Sequence, residues 1–291
     1  MNLLKAEQWQ PIAQTHRTKA EEWTIPYRSR RAQSKMHPVF DFLFIYYRFA
    51  PAQLEYWHPG IGVALETEEW LPGYNQKSYS LDKDRIYLDT VKLDAKVRKR
   101  LQWSLDLCKS VRSRPAQFAC FGMHEWAMVY QGGPEGRARH EGTLPLRLTQ
   151  SEIDTVVESR PICCSHFDAF RFFTDTAIPM NRFQPNQEGR MLNEQPGCLH
   201  TNMDLYKWTA KCMPWVGTEL LWDTFNYAIS CREVDMRASP YDCSQLGYTP
   251  IQIETSEGRA EYEIEQAQLA KRSKKLRDQL IEKLESLLQS E

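Results

Sequence analysis

The sequence predicts a mainly α fold with minor β, a single globular domain of helices with a few short strands. Three observations carry that expectation. Apolar residues recur at helical spacing in several long segments, whereas strand-like runs are short and scattered. No βαβ alternation is visible. No G-x-G-x-x-G occurs either, which argues against a dinucleotide-binding fold.

Residues 1–35 are polar and lean basic, with Arg28, Arg30 and Arg31 clustered, and predict an arm or a short helix. In HPVFDFLFIYYRFAPAQLEYWHPG, Pro38 suits a first helical turn, and Phe42, Ile45, Tyr46 and Phe49 follow at helical spacing. Residues 58–90 predict loop and short extended pieces. An amphipathic helix is expected over 92–112, with Val97, Leu101, Leu105, Cys108 and Val111 on one stripe. Gly132, Gly133, Pro134 and Gly136 mark an exposed loop. The run from Leu144 to Phe173 mixes a short helix with β-branched stretches, so some strand is expected there. Helices follow near 198–212, ended by Pro214, and over about 217–236. TPIQIET alternates like a strand. The expected organisation is thus a basic segment 1–35, a catalytic core 36–257, and a charged helix 258–291 packing on that core through Leu276, Leu280, Leu284 and Leu287.

Composition narrows the function classes. The 291 residues are 42% hydrophobic and 26% charged, a globular rather than a disordered balance. A formal net charge of −1 gives no global field toward nucleic acid or membrane, so such binding needs a local patch. The eight cysteines form no C-x-x-C pair and read as reduced core residues of a cytoplasmic protein. MNLLKAEQWQ lacks the apolar stretch of a secretory signal, and VFDFLFIYYRFA is too short and too interrupted to span a bilayer.

The chemistry concentrates in three segments, CFGMHEWAMVYQ, CCSHFDAFRFF and GCLHTNMDLYKW, where acidic–histidine pairs sit among large apolar residues. A buried ionisable pair costs several kcal/mol unless both groups find partners, about 3–5 when one partner is missing. His200 and Asp204 are four apart, on one helix face, as are His37 and Asp41. His166 and Asp168 are two apart and would share a face in a strand. His124 adjoins Glu125. A carboxylate can orient a histidine for general-base work or for metal ligation; a structural hydrogen bond is the plainer role. No H-E-x-x-H is completed after Glu125, so a zinc protease is excluded. No G-x-S-x-G occurs, and Cys164 as a nucleophile lacks any motif beyond the nearby His166. Arg171 is placed to brace Asp168. Trp126, Tyr130, Phe167, Phe170, Phe172, Tyr206 and Trp208 surround these pairs; core packing is their plain role, and stacking a flat heterocycle the functional one. Residues 92–114 hold Lys92, Lys96, Arg98, Lys99, Arg100, Lys109, Arg112 and Arg114, either a phosphate footprint or a solvated helix face.

These motifs, with EQPGCLHTNMDLYKW, VDMRASPYD and IETSEGRAEY, resemble a bacterial family labelled 3-methyladenine DNA glycosylase, over roughly residues 15–290. The resemblance implies hydrolysis of the N-glycosidic bond to an alkylated purine, flipped from the stack into an aromatic pocket. A carboxylate would stabilise the sugar cation and activate water without a metal. The implied catalytic residues are Asp204 and Asp168, oriented by His200 and His166, with Glu125 beside them; Lys207 is a candidate for a Schiff base. Trp126, Tyr130, Phe167, Arg171, Tyr206 and Trp208 would hold the base, and Lys92, Lys96, Lys99 and Arg100 the DNA backbone. A rival reading places iron or manganese on His124, His166 and His200 with the neighbouring carboxylates, for chemistry on a small aromatic or heterocyclic molecule. A non-catalytic nucleic-acid binder is a third.

Overall fold

The computed structural model describes residues 1–132 and 144–289. It is mainly α with minor β, as the periodicity predicts. Gly133, Pro134 and Gly136 of the expected loop lie outside the described residues. Contacts divide the chain into two compact units.

The first unit takes Met1–Cys108, Leu205–Tyr227 and the segment from Leu276 onward. Its first strand, β1 (Asn2–Leu4), leads into α1 (Ala6–Ala32), so the amino-terminal segment is a 27-residue helix rather than an arm or a short helix. The buried stripe is Trp9, His16, Ala20, Thr24 and Tyr27, at helical spacing but diluted by charge and interrupted by Pro11 and Pro26. Trp9 Nε1 donates to Glu66 O at 3.0 Å, and His16 Nε2 lies 2.8 Å from Leu54 O. The extended pieces expected over 58–90 include β2 (Val63–Glu66), β3 (Tyr79–Asp82) and β4 (Arg85–Leu88). They join β1 in a four-stranded sheet ordered β1-β2-β4-β3, with β1 parallel to β2 and the other pairs antiparallel.

Pro38 does not open a helix. Residues 38–41 turn, and α2 (Phe42–Tyr46) starts only after Asp41, followed by α3 (Pro51–Glu55). The cause is local. His37 Nδ1 accepts from the N–H groups of Val39 and Phe40, and the Asp41 carboxylate accepts the His37 N–H at 2.8 Å. The His37–Asp41 spacing therefore builds a turn. The expected amphipathic helix is α4 (Ala95–Arg112), whose Leu101, Leu105, Cys108 and Val111 are buried.

The second unit takes Lys109–Asp204 and Ala228–Lys275. It contains α5 (Met123–Ala127), α6 (Gln150–Glu158), α7 (Phe167–Phe170) and α8 (Arg190–Asn193). It also holds 199–204 of α9 (Leu199–Lys211), 228–237 of α10 (Thr218–Arg237) and 256–275 of α11 (Ser256–Gln289). Two expected strands are absent among the described residues. TPIQIET is irregular chain that turns only at its end: Ile251 N–H donates to Arg237 O, and Thr255 N–H to Gln252 O. Its alternation reflects two buried anchors, Ile251 and Ile253, with no partner strand to pair with. Around His166 the chain is extended for only a few residues, making a single bridge between Ile162 and Asn181.

Candidate metal centre

Five short stretches of the second unit deliver charged side chains to one buried place. Each is positioned by helix geometry. α5 brings His124 and Glu125, entered through Phe121 and Gly122 in left-handed backbone (φ +47° and +71°), so the chain reverses sharply just before the pair. His166 is the residue before α7. Arg190 and Glu194 stand one turn apart on and just after α8, as do His200 and Asp204 on α9. Arg232 and Asp235 lie three apart on α10.

Two donor groups result. In the first, the ligand atoms of His124, His200 and Asp235 all lie within 4.8 Å of one another; in the second, those of His166, Glu194 and Asp204 do. All six residues are buried. His124 Nε2 is 2.7 Å from Asp235 Oδ1, and His200 Nε2 is 3.9 Å from Oδ2. His166 Nε2 is 3.1 Å from Asp204 Oδ2 and 3.7 Å from Glu194 Oε1. The His200 ring connects the groups, with its centroid 4.3 Å from that of His124 and 5.5 Å from that of His166.

Each group also touches a guanidinium. Arg232 Nη1 donates to Asp235 Oδ2 at 2.5 Å and to Glu125 Oε1 at 2.9 Å. Arg190 Nη1 donates to Glu194 Oε1 at 3.0 Å and lies 3.6 Å from Asp204 Oδ2, while its Nη2 donates to Asp168. Asp168 and His166 therefore do not share a face. The half-turn of α7 sends Asp168 to Arg190, and Arg171 Nε braces it at 3.5 Å as expected.

The electrostatics differ sharply between the two histidines of the first group. Burial and the neighbouring His124 push the His200 pKa well below its ordinary value, leaving a neutral imidazole. Burial opposes charge on His124 as well, but the Asp235 carboxylate outweighs it and raises the pKa to about 10. Burial works against the Asp235 anion too, yet His124, His200 and Arg232 hold its carboxyl well below the usual carboxylate range. Without a metal, a protonated His124, Arg232, Asp235 and Glu125 form a charge-compensated network. Glu125 Oε2 and His166 Nδ1 are buried with no hydrogen-bond partner among the described residues. Cys120, only partly exposed, places its Sγ 3.9 Å from His124 Nδ1.

Compared with protein-family models, curated proteins and solved structures, the chain finds no match in any of the three. Its chemistry rests on its own geometry.

Two histidines and a carboxylate are the donor set that suits iron or manganese. Ligands bound at about 2.1 Å and at right angles sit ~3 Å apart, so the present 2.7 Å spacing would widen slightly and the 3.9 Å one close by about 1 Å to reach a bound geometry. His166, His200, Glu125 and Asp204 of the sequence candidates are all in or beside these groups. Sequence reading missed Asp235, Glu194, Arg190, Arg232 and Cys120. Their signals were ordinary: Arg190–Glu194 and Arg232–Asp235 have the spacing of any helical ion pair.

The expected base-holding aromatics have contacts of their own. Trp126 is fully buried, donates Nε1–H to Ala238 O at 2.9 Å, and carries Arg147 over its ring. Tyr130 OH donates to Glu158, and Phe167 lies beneath Arg190. Tyr206 and Trp208 belong to the first unit, where Tyr206 packs on Tyr47, Phe49 and Phe225, and Trp208 on Trp103. The Lys207 ammonium sits 4.4 Å from the Trp208 ring. Of the basic patch, Lys96, Lys99 and Arg100 are exposed, whereas the Lys92 ammonium is held by the carbonyls of Gln76 and Tyr79. No helix among the described residues is long and apolar enough to cross a membrane.

Proposed function

We propose that the chain is a metal-dependent enzyme acting on a small aromatic or heterocyclic molecule, with iron or manganese held by His124, His200 and Asp235. One observation carries this reading: two neutral-capable imidazoles and an anionic carboxylate converge, buried, with their ligand atoms within 4.8 Å. The ion would supply Lewis-acid or redox chemistry at a position the protein shields from water. The chain's own parts then have distinct tasks. Arg232 fixes the second Asp235 oxygen and so the carboxylate's orientation. Glu125 Oε2, buried and without a hydrogen bond, is the acceptor available for a proton from a substrate or water. His124 would give up its proton on ligating an ion, which would couple metal uptake to proton release.

The second reading is base excision, favoured by the Asp204–His166 pair and the sequence resemblance. There Asp204 would stabilise the sugar cation and no ion is required. Elemental analysis of the purified chain, with an alkylated-DNA base-release assay in EDTA, separates the two. The metal reading expects stoichiometric iron or manganese that disappears in His200→Ala, and no base release. Base release that persists in EDTA and is lost in Asp204→Asn, without bound metal, would replace it.

A further inference from the structure

The first unit contains a cavity of about 560 Å³ at the carboxy-terminal end of α1, bounded by α2 and the segment leading into α3. That volume lies within the roughly 300–1,000 Å³ of small-molecule sites. Its wall combines two chemistries. Tyr27 and Phe44, both buried and stacked on each other with ring centroids 4.7 Å apart, line its apolar side with the half-buried Phe49 and the exposed Ile45. Arg31, Lys35 and Arg48 supply positive charge.

Charge compensation singles the cavity out. In the basic amino-terminal cluster, Arg28 pairs with Glu55, and Arg30 takes both oxygens of Asp41. Asp41 is the one carboxylate on the cavity wall among the described residues, and Arg30 and the His37 N–H already satisfy it. Arg31, Lys35 and Arg48 have no ion pair among the described residues. Arg48 also holds a left-handed backbone (φ +53°), a conformation uncommon for non-glycine residues and concentrated at functional positions.

We propose that this cavity binds a small aromatic or heteroaromatic phosphate, its ring laid on the Tyr27–Phe44–Phe49 wall and its anion met by Arg31, Lys35 and Arg48. Arginine forks and a lysine ammonium match phosphate oxygens through charge-assisted hydrogen bonds, and the apolar side takes a flat ring. The site uses none of the residues of the proposed metal centre and stands without it.

Isothermal titration of the full chain with adenosine 5′-monophosphate as probe tests this, with adenosine and inorganic phosphate as separate arms. Saturable binding of one AMP per chain is expected, with each fragment at least roughly tenfold weaker because it makes half the contacts. Arg31→Ala and Arg48→Ala should each weaken AMP roughly tenfold, and added salt should weaken it further. Both side chains are exposed, and Lys35→Ala serves as a further variant should either arginine variant melt early. AMP affinity should be the same in EDTA. The proposal is overturned if AMP does not bind, if adenosine binds as tightly, if well-folded variants bind AMP as wild type does, or if EDTA abolishes binding.

Discussion

Protonating His58 should cost the fold about 3 kcal/mol. The residue is buried in the first unit, with Nδ1 2.8 Å from Tyr79 OH and the ring 4.8 Å from that of Tyr74. Its backbone is fixed as well: His58 N–H donates to Thr218 Oγ1, and Thr218 N–H returns to His58 O. Burial, helped by the like charge of His16, lowers its pKa from 6.5 to about 4. Above pH 6.5 the ring is neutral folded or unfolded and adds no pH dependence. Between 6.5 and 4 the unfolded chain binds a proton that the native chain refuses, so stability falls as pH falls, and the loss is complete below about 4. At ~1.36 kcal/mol per pH unit, the gap between 6.5 and about 4 is worth about 3 kcal/mol. That is a large share of the roughly 5–15 kcal/mol typical of a domain. Carboxylates titrate over part of the same range, so the informative quantity is a difference. Urea unfolding followed by circular dichroism from pH 7.5 to 4 should show wild type losing about 3 kcal/mol more than His58→Phe. The phenylalanine variant, having left Tyr79 OH without its partner, should start lower and run flatter. Parallel curves for the two proteins would refute the reasoning.

Asp235→Asn should destabilise the chain by about 3–5 kcal/mol even without metal, because Arg232 and His124 lose the carboxylate that both contact; an unchanged thermal midpoint would contradict this. At Gly197, a Cβ would fall on the Gln117 backbone, 2.7 Å from its nitrogen, so Gly197→Ala should cost ~1–3 kcal/mol in urea midpoint. Thr149 and Glu152 close a reciprocal capping box at the start of α6, and Thr149→Ala should cost ~1 kcal/mol in the same assay, with the helix otherwise intact.

The buried network was half legible. His124, His166, His200 and Asp204 stand out because ionisable residues amid large apolar ones must be partnered or functional. Their partners do not stand out. Asp235 is 111 positions from His124, and nothing in CREVDMR separates it from a surface ion pair. The pairing the sequence suggested, His166 with Asp168, failed for a local reason: the chain turns into α7 at that point, so a two-residue spacing no longer shares a face.

Helices whose apolar stripe is dense were determined by the sequence alone. α9 ran from 199 to 211, against an expected 198–212, and stopped before Pro214; α10 matched within a residue or two. In these segments each turn satisfies its own backbone, and the spacing of side chains decides which face is buried. What lacked that self-sufficiency was decided by tertiary structure. α1 was hidden because five buried residues spread over its 27 positions outline a stripe only once β2 and α3 are there to cover it. TPIQIET had strand alternation but no partner strand among the described residues, and β1 had only three residues yet found β2 61 positions away. A strand exists only by pairing, and a buried ion cluster only by convergence, so both depend on contacts that neighbouring residues in the sequence do not encode.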